Sequence, residues 1–573
     1  MSAKPIQEKE IYVSGDGMNP DALKASIGEP VTYERVIEHF RIDIPEYYNM
    51  AGDTVLRQVE AGNGEAIALI AEHADGLINR FSYAELAERS ARLSNLFQEL
   101  GVGRGTVVAC YLGAGLEAAL TYLAVFRLGG IVAPLSQLYG PDTVIHALVD
   151  SGATILVSES DLWARIAEQQ NRCPDLATVV LTDPDGQQGI VDFNQYQRFS
   201  SDAHLESTRA VEPALLLYTS GSTGMPKGIL HAHRILRGYL ASVSLFYELE
   251  MNRPGAVLWT PSDWSWVAGI FNVMLTGWFF GQTVVASRAR FSAEGSFELM
   301  ARHGVTHCFL TPTALKRMAA IDDPYGRWPD LAIRSIGTGG EPLPSAVLAW
   351  GDKVLNVPIN EFYGLTEVNH LIGNCRTLFP VRPGSMGKAY PGHVVAIIDQ
   401  AGDPVADGEM GEIAARDDDP TLFLGYWNQL GRTASMRVGR WVRTGDLGYR
   451  DSDGYFWYHG RNDDLIKSAG YRIGPAEVED ALVEHPAIDE AAVVGSPDPD
   501  RGQVVKAFVR LAAGHAPSAE LAREIQLHVK RCLAAYKYPR KIEFVSDFPL
   551  TSTGKINRKA LRLKELAENS NYK

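Results

Sequence analysis

The sequence predicts an α/β fold, with a large N-terminal domain of parallel sheets that carry helices on both faces. Three observations predict this. Apolar runs of strand length alternate with helical patterns from Phe81 to Ile336. Short β-type runs separated by Gly, Pro and Asp then follow over about residues 384–458, which indicates a small β-barrel-like subdomain. Beyond a polar junction at residues 460–464, about a hundred residues have the pattern of a small α+β C-terminal domain.

Individual elements follow from capping signals and apolar runs. Ser82 and Glu85 form a capping box that predicts a helix from Tyr83 towards Leu100. Helices are also predicted near residues 116–128, 144–149 and 476–484, and strands at residues 107–112, 131–134, 154–157, 284–286, 307–310 and 491–494. The first fifty or so residues are mixed and polar and are interpreted as a capping segment. The resulting domain prediction is an N-terminal domain of residues 1–460 and a C-terminal domain of residues 461–573.

Composition narrows the class of protein. The chain has 573 residues, 46% hydrophobic and 21% charged, which is typical of a globular protein with a large core. The net charge of −15 argues against nucleic-acid binding, and it requires any site for an anionic substrate to concentrate positive charge locally. The five cysteines form no CxxC pair, so their spacing supports neither a disulfide framework nor a zinc site. With no secretory signal visible at the N-terminus, we expect a reducing, cytoplasmic location.

One uncharged segment, Val267 to Ala286, is as long as a bilayer is thick. It contains Asn272 and Gln282 and ends in a β-branched run. These features favour a buried helix that leads into a core strand, so no membrane span is expected.

The most informative segment is Tyr218 to Gly228, which follows a short apolar stretch. Glycines allow backbone N–H groups to turn towards an anion, hydroxyls add donors, and a lysine adds positive charge. The segment therefore suits a polyphosphate such as ATP, although alone it is about as compatible with a flexible loop. It is not a Walker loop, because Gly228 follows the lysine. The candidate ATP-binding residues here are Thr219, Ser220, Gly221, Ser222, Thr223, Gly224 and Lys227.

Further segments rich in Gly and charged residues follow in a fixed order. The first two, Gly339 to Pro342 and Glu361 to Glu367, are each expected after a short strand. The later four are Thr444 to Asp446, Gly460 to Asp464, Gly470 to Arg472 and Thr553 to Lys555. Each is weak alone, since Arg461 and Asp463, for example, could form a solvated ion pair. Together, with these spacings, they resemble the adenylate-forming acyl-CoA synthetases, and the resemblance covers about residues 60–565. Residues 470–475, 496–502 and 536–541 are particularly similar to medium-chain acyl-CoA synthetases.

The resemblance implies a reaction with two steps. A carboxylic acid is joined to AMP with release of diphosphate, and CoA then displaces AMP to give an acyl-CoA. ATP and CoA are cosubstrates, and Mg²⁺ is the expected cofactor. By similarity, Glu367 holds Mg²⁺ and Thr366 lies beside it on the phosphate. The residues expected around the adenine are Gly340, Glu341, Pro342, Glu361, Phe362 and Tyr363, and those expected on the ribose are Asp446 and Arg461. Gly364 is a further expected ATP-binding residue.

The resemblance also implies that the C-terminal domain is a mobile lid. Asp463 is the expected hinge, and Lys555 is the expected catalytic residue, which reaches the α-phosphate and carboxylate during adenylation. Arg472 is expected to reach the ATP phosphates in the same pose. After the domain has turned, the residues expected to bind CoA are Gly470, Tyr471, Arg501, Tyr538, Pro539 and Arg540.

One departure from the family pattern concerns the acid. Acetyl-CoA synthetases carry a tryptophan where this chain has Gly364, and its indole closes a small acyl pocket. A glycine there predicts room for a longer alkyl chain, at about 0.8 kcal/mol per buried CH₂. Short-branched or medium-chain acids are therefore expected. Trp266, with Trp264, is a candidate wall of the acyl or pantetheine channel, although both are nearly as compatible with core packing.

Three alternative functions stay open. The chain is alternatively an acetate–CoA ligase, an enzyme that loads an acyl group onto a carrier protein, or a non-catalytic nucleotide-binding protein. The last would be expected to lack Lys555 or Glu367, and both are present. His231 and His233 lack an evident further ligand set, so packing is preferred to metal binding. Residues 549–555 resemble the segment that protein acetyltransferases recognise in related synthetases, so a transferase and deacetylase acting on Lys555 are hypothetical partners. Nothing in the sequence indicates the oligomeric state.

Replacement of Lys555 with Ala tests the role that the resemblance implies. The variant is expected to lose acyl-AMP formation, because the charge over the crowded anions is gone, but to keep thioester formation from supplied acyl-AMP. Separate assays of the two half-reactions measure this. Equal loss in both would contradict the role.

Overall fold

The structure is a computed structural model that describes residues 18–184, 186, 188–219, 225–461, 464–468, 471–499, 501–534, 536–551 and 556–570. It divides into two compact units. Among the described residues, the large unit comprises those of 18–219, 225–395 and 415–440, and the small unit comprises those of 396–414 and 441–570.

The strands form four sheets. In chain order they are β1 (Ile67–Glu72), β2 (Ile78–Ser82), β3 (Val107–Tyr111), β4 (Ile131–Pro134), β5 (Ile155–Ser158), β6 (Thr178–Leu181), β7 (Val191–Asp192), β8 (Pro213–Thr219), β9 (Lys227–Ala232), β10 (Val257–Trp259), β11 (Thr283–Ser287), β12 (His307–Phe309), β13 (Ser335–Gly339), β14 (Ile359–Leu365), β15 (Asn369–Gly373), β16 (Lys388–Ala389), β17 (Val395–Ile398), β18 (Gly411–Arg416), β19 (Gly425–Tyr426), β20 (Arg437–Val438), β21 (Trp441–Arg450), β22 (Phe456–Arg461), β23 (Ile466–Ser468), β24 (Tyr471–Ile473), β25 (Ile488–Asp498), β26 (Gly502–Leu511) and β27 (Lys541–Phe544).

Helices alternate with many of these strands along the chain. They are α1 (Pro20–Ile27), α2 (Tyr33–His39), α3 (Arg57–Glu60), α4 (Tyr83–Glu99), α5 (Leu116–Arg127), α6 (Pro141–Ser151), α7 (Ser160–Ala164), α8 (Ile235–Phe246), α9 (Val267–Gly269), α10 (Leu275–Phe279), α11 (Ala293–His303), α12 (Pro312–Met318), α13 (Pro324–Arg327), α14 (Ser345–Trp350), α15 (Leu430–Ser435), α16 (Pro475–Val483), α17 (Ala519–Cys532) and α18 (Arg558–Ser570). Shorter 3₁₀ and π segments lie at Gly52–Leu56, Ala167–Arg172, Phe193–Arg198, Ile270–Met274 and Gly351–Leu355.

The large unit contains an eight-stranded sheet in the order β19-β9-β8-β4-β3-β5-β6-β7. Strands β8, β4, β3, β5, β6 and β7 are parallel, and β9 and β19 extend one edge antiparallel. The central strand β3 is buried throughout, as its run of apolar residues requires in a parallel sheet. The crossover from β3 to β4 runs through helix α5, and the crossover from β4 to β5 runs through α6.

A second sheet of the large unit has nine strands in the order β16-β15-β14-β13-β12-β10-β11-β1-β2. Strands β14, β13, β12, β10, β11 and β1 are parallel. The early strand β1 lies next to β11, with Leu69 opposite Val284, so this part of the sheet joins segments that are far apart in sequence. Strand β14 continues through residues 361–365 and turns back antiparallel as β15.

The small unit has its own apolar core. Strands β23, β24, β25, β26 and β27 form a five-stranded sheet, and α16 and α17 contribute buried apolar side chains to the same cluster.

Another five-stranded sheet, of β17, β18, β20, β21 and β22, is formed from the region predicted to be β-rich. Its β21–β22 pair is antiparallel, as the short Gly-punctuated runs predict.

The predicted elements agree with these bounds in most places. The Ser82–Glu85 capping box is present at α4, and β4 has the predicted residues. The uncharged segment from residue 267 forms α9, a π segment and α10 before β11, and the π segment and α10 are buried. No helix among the described residues is long and apolar enough to cross a membrane. One expectation was wrong, because residues 361–365 lie within β14 and do not follow a strand.

Candidate active site

The two ends of the predicted phosphate-binding segment lie side by side on an antiparallel ladder. Thr219 is the last residue of β8, Lys227 is the first of β9, and the two are partners in the strand register. Residues 220–224 between them lie outside the described residues. The ladder therefore fixes where the segment leaves and re-enters the sheet, and it places Lys227 at that edge.

A tyrosine connects this edge with the predicted metal ligand. The phenol oxygen of Tyr426 donates a hydrogen bond to Oε1 of Glu367 over 2.7 Å. The Lys227 ammonium lies 5.6 Å from the centre of the Tyr426 ring, and the Arg432 guanidinium carbon lies 5.0 Å from it. One carboxylate and two cations are therefore gathered around a single aromatic side chain, which attracts cations to its face.

The protonation of this cluster follows from its surroundings. Burial, followed by the negative charge of Glu367, raises the pKa of Tyr426 above its ordinary value, so its phenol remains a donor at neutral pH. The backbone oxygen of Glu367 accepts a bond of 3.0 Å from the amide of Phe423. Among the described residues, no hydrogen-bond partner reaches the second carboxylate oxygen of Glu367. Tyr426 therefore orients the carboxylate through one oxygen and leaves the other for a ligand.

Two histidines close to the phosphate segment are entirely buried, as the packing interpretation expects. Burial lowers the pKa of His231 to about 3, against a smaller opposing effect of the Thr366 backbone. Burial also lowers the pKa of His233 to about 3. Both side chains are therefore neutral at physiological pH, and they add no charge behind the site.

The residues predicted to border the adenine lie on β14 and on the turn after β13. Gly339 is paired with Phe362, and Gly340 has φ +88°, which favours glycine at this turn. The Glu361 carboxylate is buried and accepts a bond of 3.1 Å from the amide of Leu343. Glu361 therefore supports the turn of residues 340–342 from behind.

The neighbouring side chains divide between the core and the surface of this region. Phe362 is buried, with ring centres of Phe246 at 5.0 Å and His370 at 4.0 Å. Glu341 accepts a bond of 2.7 Å from the Thr313 hydroxyl. The half-buried members of the predicted set are Glu341, Tyr363, Gly364, Thr366 and Glu367, whereas Gly340 and Pro342 are exposed.

The structure explains why residue 364 is a glycine, for a reason that the sequence did not reveal. Gly364 lies beside an irregularity in the β14–β15 pairing, opposite His370. A Cβ atom added there would overlap the carbonyl oxygen of Asn369, which is backbone and cannot rotate away. In this conformation the missing side chain therefore allows two strands to approach, and it does not open onto a pocket.

Trp266 connects the predicted acyl site with the phosphate segment. Its ring is half-buried and meets the Tyr139 ring edge to face, with centres 6.0 Å apart. The Tyr139 hydroxyl donates over 2.8 Å to the backbone oxygen of Tyr218, one residue before Thr219. Trp264, by contrast, is buried against Trp278 in the core.

In the small unit, the two residues predicted to hold the ribose lie opposite each other. Asp446 on β21 and Arg461 on β22 are partners in the register, and Arg461 Nε lies 3.3 Å from Asp446 Oδ1. Asp446 is buried, whereas Arg461 is exposed. Burial, followed by the charge of Asp446, raises the pKa of the nearby Tyr458. The pair thus presents a fixed carboxylate with a neutral phenol behind it.

The predicted CoA-binding residues of the small unit form basic, aromatic surfaces. Tyr471 is exposed and stacks on Tyr536, with ring centres 4.2 Å apart. Arg540 and Lys530 lie 5.2 and 5.3 Å from the ring centre of Tyr538. The remaining described members are Pro539, which is buried, and Arg501, which is exposed and whose amide donates to Asp498 Oδ1 over 2.9 Å. Arg472, which is predicted to reach the ATP phosphates, lies on β24.

Several predicted residues lie outside the part of the chain that the structure describes. They are Ser220, Gly221, Ser222, Thr223, Gly224, Asp463, Gly470 and Lys555. Their roles remain predictions.

Sequence reasoning missed Tyr426 and Arg432. Tyr426 is brought to the site because β19 pairs with β9, where Tyr426 lies opposite Ile229. A pairing between such distant segments leaves no local periodic signal. The Gly425-Tyr426-Trp427 sequence inside a β-rich region was the available indication.

Comparisons with known proteins identify the family of this chain. Residues 56–427 match the family model of the AMP-binding enzyme, and residues 477–555 match that of the AMP-binding enzyme C-terminal domain. The acetyl-coenzyme A synthetase of Bacillus subtilis (strain 168) is 34% identical over 90% of this chain and 91% of its own. The human acyl-coenzyme A synthetase ACSM4, mitochondrial, is 37% identical over 85% of this chain and 84% of its own. The crystal structure of the anthranilate CoA ligase AuaEII in complex with anthranoyl-AMP aligns with a TM-score of 0.83 at 28% identity, covering 92% of this chain and 99% of that one.

The fold and these similarities define an AMP-forming CoA ligase. The chain belongs to the AMP-binding enzyme family, and the relatives it matches include acyl-CoA synthetases.

Replacement of Tyr426 with Phe tests whether the phenol orients Glu367. The variant loses a hydrogen bond to a charged group, a change of about 1.5–3 kcal/mol. We expect kcat/KM for ATP to fall about 10- to 100-fold, with more Mg²⁺ needed for the half-maximal rate. Initial rates across a Mg²⁺ titration measure both effects. Tyr449→Phe is the matched control, because Tyr449 stacks on Trp457 in the small unit. An unchanged Mg²⁺ dependence in Tyr426→Phe would contradict the orienting role.

Replacement of Gly364 with Ala tests the close approach of β14 and β15. The added methyl group is expected to lower the free energy of unfolding by about 1–3 kcal/mol, because backbone must move to admit it. Gly103→Ala is the control, since a Cβ there meets nothing within 4 Å. Urea unfolding of both variants measures the difference. Equal stability of the two variants would show that the strands tolerate a side chain at residue 364.

Proposed function

We propose that this ligase activates a short-branched or medium-chain carboxylic acid. The acid attacks the α-phosphate of ATP to give an acyl-adenylate and diphosphate, and the CoA sulfur then displaces AMP to give the acyl-CoA. The observation that carries this proposal is the cluster in which Tyr426 holds the Glu367 carboxylate close to Lys227 and Arg432. It lies where the predicted phosphate segment joins the sheet.

The charge of the cluster suits the first step. Adenylation brings a carboxylate up to a phosphate, so the barrier depends on neutralising negative charge and on in-line positioning. The chain as a whole carries a net charge of −15 and would repel both substrates. Lys227 and Arg432 concentrate positive charge at the edge of β9, where the β- and γ-phosphates would bind.

Glu367 is the proposed ligand of Mg²⁺. A carboxylate oxygen is the ligand that this hard cation prefers, and Mg²⁺ is commonly held by one or two carboxylates and the substrate phosphates. The Tyr426 hydroxyl binds one oxygen of Glu367, which fits a carboxylate oriented to present the other. The ion would supply further neutralisation of phosphate charge, and Thr366 would contact the same phosphates.

Two groups of residues are proposed to recognise the nucleoside. The turn of residues 340–342, supported by Glu361, is proposed to border the adenine with Tyr363. The Asp446 carboxylate is proposed to accept hydrogen bonds from the ribose hydroxyls, with Arg461 beside it.

The C-terminal domain, which we place at residues 461–573, is proposed to alternate between the half-reactions about Asp463. Lys555 would complete the adenylation site, and Arg472 would assist it at the ATP phosphates. In the other pose, Gly470 and Tyr471 would line the pantetheine path, and Arg501, Tyr538, Pro539 and Arg540 would meet the CoA nucleotide. The guanidinium of Arg540 over the Tyr538 ring supports this, because cations and aromatic rings together suit an anionic nucleotide.

The acid is proposed from the relatives and from Trp266. Medium-chain likeness of the C-terminal segments favours an alkyl chain longer than acetate, and Trp266 offers an apolar wall near the phosphate segment. Gly364 contributes less than its sequence position predicts, because its missing side chain faces the backbone of Asn369. Acetate is the second candidate, favoured by the 34% identity with the acetyl-coenzyme A synthetase of Bacillus subtilis.

Two further proposals concern the cellular setting. All five cysteines are free thiols in the structure, which supports a reducing compartment, here the cytoplasm, although several relatives carry the word mitochondrial in their names. Acetylation of Lys555 would remove the charge that adenylation needs, so a protein acetyltransferase and a deacetylase are proposed regulators.

A chain-length series tests the proposal. Diphosphate release is measured with acetate, butyrate, isobutyrate, hexanoate and octanoate, each with and without CoA, and acyl-CoA is quantified in parallel. We expect kcat/KM to rise about fourfold per added CH₂, from about 0.8 kcal/mol of burial each, until the pocket is full. A maximum at acetate would establish the second candidate in its place. Diphosphate release with no acyl-CoA product would instead indicate transfer to a carrier protein.

A further inference from the structure

Three side chains of different type meet on the surface of the small unit. They are Glu484, directly after α16, and His528 and Cys532 on α17. One ligand atom from each lies within 4.8 Å of the other two. His528 and Cys532 are four residues apart on a helix, so both side chains project from the same face.

The contacts around these residues define the geometry further. His528 Nε2 lies 3.7 Å from the Cys532 sulfur and 3.1 Å from the backbone oxygen of Ala481. The His485 ring packs edge to face against His528, with centres 5.2 Å apart, and its Nε2 lies 3.7 Å from Glu524. The imidazole of His528 is thus held between two helices, and its surroundings include a second carboxylate.

The small unit contains another group of potential ligands, which differs in one respect. Glu543, Glu565 and Glu568 also bring oxygen atoms within 4.8 Å of one another. The Lys506 ammonium lies 2.6 Å from both Glu543 and Glu565, and the Lys564 ammonium lies 2.6 Å from Glu543. Lysines therefore already neutralise that group, and it has no need of a metal ion.

We propose that Glu484, His528 and Cys532 bind a thiophilic divalent metal ion, of which Zn²⁺ is the reference case. Sulfur, imidazole nitrogen and carboxylate oxygen are the ligands that Zn²⁺ takes, and water would complete a four-coordinate site. Ligand atoms at about 2.0–2.3 Å from a tetrahedral ion lie about 3–4 Å apart. Side-chain rotations that move the ligand atoms by about an ångström would therefore close the site.

Binding replaces the thiol proton of Cys532 with the metal, and that proton leaves to solvent. The ring nitrogen of His528 that coordinates the ion must also be unprotonated, so affinity falls as pH is lowered. The ion would connect the end of α16 with the end of α17. The site is chemically distinct from the proposed Mg²⁺ ligand, because Mg²⁺ prefers oxygen atoms alone.

The sequence could not reveal this set of ligands. Cysteine spacing supports no zinc site, because the set contains a single cysteine and its third member comes from another helix.

A cobalt titration of the full-length, reduced, metal-free protein tests the proposal. Co²⁺ bound through a thiolate gives a sulfur-to-metal charge-transfer band in the near ultraviolet, and we expect it to saturate at one equivalent and to disappear on addition of Zn²⁺. The band is expected to be lost in Cys532→Ser, and affinity to fall at least tenfold in His528→Gln and Glu484→Gln. His204→Gln, which removes an exposed histidine of the large unit, is the matched control. A band that persists in Cys532→Ser, or no band in the unaltered protein, would overturn the proposal.

A thiol-reactivity measurement on the unaltered protein tests the proposal without depending on how the variants of the proposed ligands fold. Cys532 is exposed, whereas Cys110, Cys173, Cys308 and Cys375 are buried, so a disulfide reagent should modify Cys532 first. Zn²⁺ is expected to slow this reaction at least tenfold in the unaltered protein and in His204→Gln, and Mg²⁺ to leave it unchanged. Equal rates with and without Zn²⁺ would overturn the proposal.

Discussion

The site depends on one turn being fastened to a distant segment of the chain. Residues 366–368 connect β14 with β15 in the nine-stranded sheet, and they are bonded to the segment that enters β19 in the eight-stranded sheet. The Phe423 amide and the Tyr426 hydroxyl both donate to Glu367, and the Thr421 hydroxyl donates over 3.2 Å to the backbone oxygen of Val368. The two large sheets therefore share the turn that carries the proposed metal ligand, and neither alone would fix its position.

In this region the buried histidine side chains are neutral, and the positively charged side chains are less buried. The neutral histidines His231 and His233 occupy the interior, where a cation would be costly. Lys227 and Arg432 instead lie 5.6 and 5.0 Å from the centre of the Tyr426 ring. An acidic chain can thus present a local positive surface to anions without burying an unpaired charge.

The fold was largely predictable, because strong local signals agree with the tertiary structure. The capping box at Ser82 and the apolar run at β4 give bounds that match within a residue. The site was predictable only where a motif is continuous in sequence. Tyr426 and Arg432 reach it through pairing of β9 with β19, and the reason for Gly364 lies in the backbone of a neighbouring strand. Such contacts exist only after the sheets have formed, so no periodicity or spacing in the sequence records them.

The position of β1 has a consequence for synthesis of the protein. Strand β1 and its hairpin partner β2 emerge early from the ribosome, but the parallel neighbour of β1 is β11, at residues 283–287. The nascent hairpin therefore keeps an unpaired apolar edge until more than half of the large unit has been translated. Chaperones that shield unpaired strand edges would be most useful to this enzyme during that interval.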